Sequence, residues 1–377
     1  MAATKLRVAI CHVSPVFLDA RQTTQKAISL IHQAAKNTAN LVVFPETYIP
    51  AFPVWSALLA PHQNHDFFHR MVQESVYADG AEVRAIRAAA REAGVLVNVG
   101  ISEKSRHSTA TLYNSNLLIG TNGEVLVHHR KLMPTFFEKL TWSPGDGHGL
   151  RVAKTQYGNI GTLICGENTN PLARYALMTE SEQVHISTWP GIWPTRVQTS
   201  KSETSGNSET TSTDQAPSNT ASSSDLPSDK PAKAKSPGNY DNVAANRIRA
   251  AAHCFEAKCF GVVSAGLFDD ECARVLSSYT TDPATLHAQL AAAPQAPSMF
   301  LDPTGAPLRG FTIDPSTHQR TEHEYLRATA GILYADLDLS LCVEGKQYHD
   351  VTGGYQRLDV FELKVDRRRR DPVTFVE

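Results

Sequence analysis

The sequence predicts an α/β fold in which helices cover a sheet core, and three observations predict it. Short β-branched apolar runs alternate with segments of helical period along most of the chain. Turn and cap residues punctuate the boundaries between them. The composition, 41% apolar and 20% charged over 377 residues, is that of a globular protein with apolar mass for one large core or two modest ones.

The elements follow in order. "LRVAICHV" (6–13) reads as a strand, and "TTQKAISLIHQAAKN" (23–37) as a helix with Ala27, Leu30, Ile31 and Ala34 on one face. "NLVVFPET" (40–47) is a short strand stopped by Pro45. "AEVRAIRAAAREAG" (81–94) is a helix closed by Gly94, and "VLVNVGISEK" the strand after it. A hairpin follows in "LYNSNLLIGTNGEVLVHHRKL", with its turn at Asn122–Gly123 between two apolar runs. "GNIGTLIC" (158–165) is a strand, "PLARYALMTESE" a helix and "QVHISTWP" (183–190) the next strand. Beyond the middle come a helix in "NVAANRIRAAAHCFEAK" (242–258), a strand in "CFGVVSAG", a strand and turn in "SMFLDPTGAPL" (298–308) and a strand in "ILYADLDL" (332–339). No repeat of 20 to 50 residues interrupts this order.

Charge and cysteine usage exclude several classes of function. A formal charge of −2 supplies no broad field for nucleic acid or anionic lipid. No stretch reaches the roughly 18 apolar residues that span a bilayer, and "MAATKLRVAICHVSP" lacks the unbroken apolar segment of a signal peptide. The expectation is a soluble cytoplasmic protein with no nucleic-acid or membrane partner. Its six cysteines are scattered, without a CxxC pair or a dense disulfide spacing, and read as free thiols.

Two segments break the pattern. Between Val197 and Tyr240 the chain is crowded with Ser, Thr, Asp, Lys, Pro and Ala, and Leu226 is its one large apolar residue, so residues 198–239 read as a disordered insertion that cannot offset its ordering entropy. The functional alternative is a regulatory lid. Residues 366–377 form a basic tail whose "RRRR" (367–370) reads as a solvated end.

Reactive groups in open α/β sheets collect outside the carboxyl ends of strands, and three such ends here carry assertive chemistry. "LVVFPE" delivers Glu46, "EVLVHHRK" delivers Lys131 and "IGTLIC" delivers Cys165. Taken alone, Cys165 reads as a core thiol and either charged residue as a surface group. Together they supply a nucleophile, a base for its proton and a cation for the charge that attack creates. Asn170 reads as an N-cap and Pro171 as the first helical residue, so a helix N-terminus just after Cys165 is expected to lower the thiol pKa and give a thiolate at neutral pH. His128 and His129 are adjacent on a strand and point to opposite faces, which argues against a shared metal site.

The stretches "LVVFPETYIPAFPVW", "HHRKLMPTFFEKLTWSPGDG", "LICGENTNPLARYAL", "QVHISTWPGIWPTR", "YDNVAANRIRAAAHCFEAKCF" and "ILYADLDL" resemble the nitrilase branch of the carbon–nitrogen hydrolase superfamily, in family order. The resemblance implies a four-layer α-β-β-α sandwich in a single domain, 1–365, interrupted by 198–239. It implies Glu46 as general base, Lys131 as cationic stabiliser, Cys165 as nucleophile and Glu138 as a second glutamate orienting lysine and substrate. Glu167, Trp189 and Pro190 are the substrate contacts it suggests. No cofactor and no metal are implied. The resemblance further implies an organic nitrile as the small-molecule substrate, aromatic or arylaliphatic by the wording of "CGENTNPLARYAL" and "STWPGIWPTR", and a second copy of the chain as the partner, in a dimer or a larger, spiral assembly. A hydratase stopping at the amide is the neighbouring alternative, separated by ammonia release; a non-catalytic assembly subunit is the other. Gly166 stands where members often carry tryptophan, which implies a roomier or more polar pocket.

Overall fold

The computed structural model describes residues 5–194, 241–280 and 282–369, with 373 and 376. The 198–239 insertion and most of the tail beyond 369 lie outside the described residues.

Alternation builds β1 (Lys5–His12), in which Leu6, Val8 and Ile10 face one way and Ala9 and Cys11 the other. α1 (Ala20–Lys36) starts at Asp19, whose carboxylate accepts from the Gln22 amide, and β2 (Leu41–Val43) follows. Next come α2 (Trp55–Leu58), α3 (His65–Glu74) and α4 (Ala81–Ala93). Gly94 ends α4 at φ 68°, a left-handed conformation that costs glycine nothing sterically. β3 (Leu96–Lys104), β4 (Leu112–Ile119) and β5 (Val125–Arg130) pair antiparallel in turn.

The second half begins with β6 (Ala153–Thr155) and β7 (Gly158–Ile164). α5 (Pro171–Met178), β8 (Val184–Trp189), α6 (Asn242–Ala257) and β9 (Phe260–Ala265) give the parallel run β7, β8, β9. α7 (Asp270–Ser277), α8 (Pro283–Ala291), β10 (Ser298–Leu301) and β11 (Pro307–Leu308) come next. β12 (Gly310–Ile313), β13 (Arg320–His323), β14 (Tyr325–Leu326) and β15 (Gly331–Asp338) complete the strands.

The strands form two sheets, one ordered β13-β12-β15-β1-β2-β3-β4-β5 and the other β11-β10-β9-β8-β7-β6 with β14 beside β10. Leu6, Val8, Ile10, Leu41 and Val43 of the first sheet meet Ile160, Val184, Ile186, Phe260 and Val262 of the second in one apolar layer. The opposite face of the first sheet packs on Ile31 of α1 and Ile86 of α4. Ala250 and Cys254 of α6 cover Val263 and Leu301 of the second sheet, while Leu177 of α5 covers Leu163. The layers therefore run helix, sheet, sheet, helix. Polar pins cross the central layer: the Asn116 Nδ2 on β4 donates to Thr162 Oγ1 at 2.9 Å and Thr188 Oγ1 at 3.1 Å on the other sheet, and His12 Nδ1 lies 2.9 Å from Ser298 Oγ.

The strand expected at 40–47 stops at Val43, which leaves Glu46 in a loop, and the helix expected to reach Glu182 ends at Met178. The described part of the basic tail packs back on the body: Val365 joins the Leu150 and Leu163 cluster, Arg367 pairs with Glu180, and Arg369 donates to Asp146 at 3.1 Å and to His128 at 3.0 Å.

Gly100, on β3, is where the Glu46 loop presses closest; a Cβ there would stand 2.4 Å from the Pro45 oxygen and 2.4 Å from the Thr47 nitrogen. Both are backbone atoms, so neither can swing aside. Gly100→Ala is expected to cost about 1–3 kcal/mol, as overpacking does, read as a lowered midpoint in urea unfolding.

Candidate active site

Each predicted group reaches the site by a short local device. Glu46 lies three residues past the end of β2, and Thr47 behind it adopts φ 41°. Lys131 directly follows β5, and its amide donates to the Asn114 carbonyl at 2.7 Å. Glu138 sits in the short helical turn Phe136–Leu140, entered through Phe136 at φ 51°, with its carboxylate accepting from the Thr135 amide at 2.9 Å. Cys165 follows β7 at φ 51° and opens the helical turn Cys165–Thr169. Left-handed φ at non-glycine residues is costly and gathers where surrounding structure enforces it.

The structure brings Glu46, Lys131, Glu138 and Cys165 together. Lys131 Nζ donates to Glu46 Oε1 at 2.8 Å and to Glu138 at 2.8 and 2.7 Å. Both ion pairs are fully buried at the side chains. A carboxylate oxygen of Glu46, one of Glu138 and the Cys165 Sγ all lie within 4.8 Å of one another. That spacing would suit a metal ion, but the Lys131 ammonium already stands as the cation between the carboxylates. Asn114 Nδ2 donates to Glu46 Oε1 at 2.7 Å, which leaves Glu46 Oε2 buried without a hydrogen-bond partner among the described residues.

Burial raises the Glu46 pKa to about 7, against the lowering effect of Lys131 and with the help of Glu138. Burial would lower Lys131, but the acidic groups around it, Cys165 first and then Glu138 and Glu46, hold it well above its ordinary value. Burial, then Glu46, push Cys165 well above the usual thiol range despite the opposing Lys131. The expected neutral-pH thiolate is thereby corrected: α5 begins only at Pro171, and its amide donors are engaged by Asn170, whose Oδ1 accepts from Leu172 and Ala173. Cys165 rests as a thiol beside a carboxylate able to take its proton.

A cavity of about 160 Å³ opens over Cys165, walled by Trp189, Pro190 and Trp193, with Thr135, Asn246 and Arg249 around it. Trp189 and Pro190 thus stand at the cavity as the sequence suggests. Gly166 lines it too, and a Cβ there would meet Thr135 Oγ1 at 2.8 Å. Glu167 does not. Its carboxylate accepts from the Ile164 amide at 2.9 Å, from the Leu132 amide, and faces His129 Nε2 at 2.8 Å. It ties the turn carrying Cys165 to the chain just after Lys131, a positioning contact rather than a cavity wall. His128 turns the other way, to Glu103 at 2.7 Å. Sequence reasoning missed Asn114, Asn246 and Arg249. Asn114 and Asn116 flank Ser115 at the middle of a strand that otherwise reads as apolar and aromatic, and this polar run is the one pattern that could have revealed it.

Residues 7–216 match the carbon–nitrogen hydrolase family. The chain is 40% identical to an arylacetonitrilase of Hypocrea virens over 190 residues, 50% of this chain and only 56% of that protein. It is 31% identical to a nitrilase of Pseudomonas syringae over 95% of this chain and 89% of that one. A cyanide hydratase of Gibberella zeae is 29% identical over 99% of this chain and 90% of that one. Among solved structures, the C. elegans NitFhit protein has the same fold, with a TM-score of 0.62 at 15% identity, over 99% of this chain and 70% of that one.

Glu46 can accept the thiol proton only as a carboxylate. The alkylation rate of Cys165 by chloroacetamide, followed by peptide mass, is therefore expected to rise with pH through about 7, the Glu46 range. Glu46→Gln should erase that step and leave slow reaction confined to alkaline pH.

Proposed function

The chain belongs to the carbon–nitrogen hydrolase family, in its nitrilase branch, and from that premise we propose that it hydrolyses an organic nitrile to the carboxylic acid and ammonia at Cys165. One observation carries the proposal: the Cys165 sulfur lies within 4.8 Å of both Glu46 and Glu138 carboxylates, which share the buried Lys131 ammonium.

As Sγ attacks the nitrile carbon, Glu46 takes the thiol proton and passes it to the nitrile nitrogen, giving a neutral thioimidate and returning Glu46 to its carboxylate form. Lys131 offsets the charge building on that nitrogen, and Glu138 keeps the ammonium aimed. Water, its proton removed by Glu46, adds to the thioimidate carbon. Breaking the C–N bond of this tetrahedral species releases ammonia and leaves a thioester, which a second water hydrolyses to acid and free thiol. Breaking the C–S bond instead would release an amide, the outcome that the cyanide hydratase likeness keeps as a second reading.

The cavity favours an aromatic or arylaliphatic nitrile. A void of about 150 Å³ suffices to hold a benzene ring, and the 160 Å³ here lies between two indoles. Assembly with a second copy is supported by exposed Leu172 on α5 and by Ile248 and Phe255, one face of α6. The Arg174–Glu256 pair holds those two helices together. Among the described residues no helix is long and apolar enough to cross a membrane.

Scoring acid, amide and ammonia from phenylacetonitrile and a panel of aliphatic nitriles tests the reading. Stoichiometric ammonia with acid is expected, and amide without ammonia would replace it by the hydratase reading. Cys165→Ala and Lys131→Ala should each lower kcat by a factor on the order of 10³ or more with an unchanged circular dichroism spectrum. Gly166→Val, which adds bulk at the cavity, should depress turnover of phenylacetonitrile more than that of acetonitrile.

A further inference from the structure

Behind Cys165 lies a buried polar cluster that the reaction above does not use. His185, the second residue of β8, pairs in register with Gly161 of β7 and Gly261 of β9. A Cβ on Gly161 would fall 2.0 Å from Glu182 Oε1, so the side chain missing there makes the room for that carboxylate, and one on Gly261 would fall 2.6 Å from the neighbouring Cys254 Sγ. Glu182, just past Ser181 at φ 59°, faces His185 Nδ1 at 2.8 Å through Oε1 and His253 Nε2 at 2.6 Å through Oε2. The two rings stack with centroids 3.7 Å apart at 22°. All three side chains are fully buried.

Glu182, His185 and His253 have the spacing of metal ligands, but an ion bound by two imidazoles must lie near both ring planes, and nearly parallel stacked rings share no such point. The arrangement is that of one carboxylate accepting a proton from each ring.

The hydrogen-bond chain fixes the protonation of His185. Asn168 Nδ2 donates to the Cys165 carbonyl at 2.9 Å, which turns its Oδ1 to His185 Nε2 at 2.8 Å. The reversed amide would set Oδ1 against the carbonyl, two acceptors face to face. An amide oxygen only accepts, so Nε2 carries a hydrogen; Nδ1 carries the other toward Glu182. We infer that His185 is a buried imidazolium paired with Glu182 and acts as a positioning residue: its Nε2–H orients Asn168, which holds the Cys165 carbonyl and with it the left-handed backbone that presents the sulfur.

The surroundings agree with one charge of each sign. Although burial opposes it, the two histidines hold Glu182 well below the usual carboxylate range. Burial and then His185 lower His253 to about 4, so that ring is neutral, and its Nδ1 has no hydrogen-bond partner among the described residues. The other titratable groups packed around the cluster are Arg174 of α5, paired with Glu256 of α6, and the thiols Cys254 and Cys259. Arg174 Nη1 also donates to the Asn168 carbonyl at 3.1 Å, holding the relay from its far side.

As it bears on turnover this rests on the nitrilase reading, so the test reads both phenylacetonitrile hydrolysis and Cys165 alkylation by iodoacetamide against pH. In Glu182→Gln the His185 ring loses the carboxylate that its Nδ1–H faces, so the relay to Asn168 loosens. Both kcat and the alkylation rate are expected to fall by roughly 10-fold, the scale of a small misplacement, with KM unchanged. Asn168→Asp can still accept from His185 but cannot donate to the Cys165 carbonyl, so kcat should fall by roughly 10–100-fold at every pH, the scale of a small misplacement. A folded Glu182→Gln enzyme with wild-type kcat and alkylation rate, or a folded Asn168→Asp enzyme with the wild-type rate, overturns the inference. If Glu182→Gln fails to fold, the Asn168→Asp rate decides. A wild-type protein that hydrolyses no nitrile would sink the nitrilase reading, while the alkylation profiles would still test the relay.

Discussion

A single, fully buried ammonium, that of Lys131, organises this site. A buried charge is tolerated only when partners replace its hydration. Glu138 supplies two acceptor contacts and Glu46 a third. That arrangement sets one cation against two acids, an imbalance that low dielectric makes expensive. The cost falls on Glu46, whose second oxygen has no hydrogen-bond partner among the described residues and whose pKa climbs to about 7. Stabilising the lysine thus produces a carboxyl group poised between acid and base near neutrality, the condition general-base catalysis requires.

The architecture then has to deliver a sulfur to that place from a different sheet. Glu46 and Lys131 leave the sheet containing β2 and β5, whereas Cys165 leaves the one containing β7. Their separation is set by how the two sheets stack, and an apolar layer alone allows sliding. Asn116, reaching from β4 to Thr162 and Thr188, fixes the register across that layer only a few residues from the reacting groups. Glu167 adds a second tie, from the cysteine turn to the strand end that carries Lys131. Closely packed interiors transmit such constraints because they have no slack.

Much of this was legible because period and punctuation are local. The strands at β1, β3 and β7 and the helices at α1, α4 and α6 declare themselves by apolar spacing and by caps such as Gly94 and Asn170. Glu46, Lys131 and Cys165 were legible as chemically assertive residues at strand ends, and Glu138 through its surrounding motif. What stayed hidden depends on contacts between distant segments. Glu167 has the residue type of a substrate ligand, and only the arrival of His129 and the Leu132 amide shows that its acceptors are used. The cluster of Glu182, His185 and His253 joins residues 71 positions apart, and the room for its carboxylate is made by Gly161 on the neighbouring strand. The short helices α7 and α8 were not read, being flanked by residues that suit loops equally well.

The resting state of Cys165 follows from the same charge count. A thiolate within 4.8 Å of the two carboxylates would add a second unbalanced negative charge to a dry pocket containing one ammonium, and Coulomb repulsion at that separation in a low dielectric is prohibitive. A thiol avoids it. Moving the proton from sulfur to Glu46 as the carbon–sulfur bond forms leaves the pocket's total charge unchanged, so no solvent needs to reorganise around the step. The negative charge travels from Glu46 through sulfur to the substrate, and Lys131 is in contact with its start and near its end. The helix dipole that a reading of "CGENTNP" places at the thiol is unnecessary in this scheme, because the nucleophile is activated by a shared proton rather than by a lowered thiol pKa.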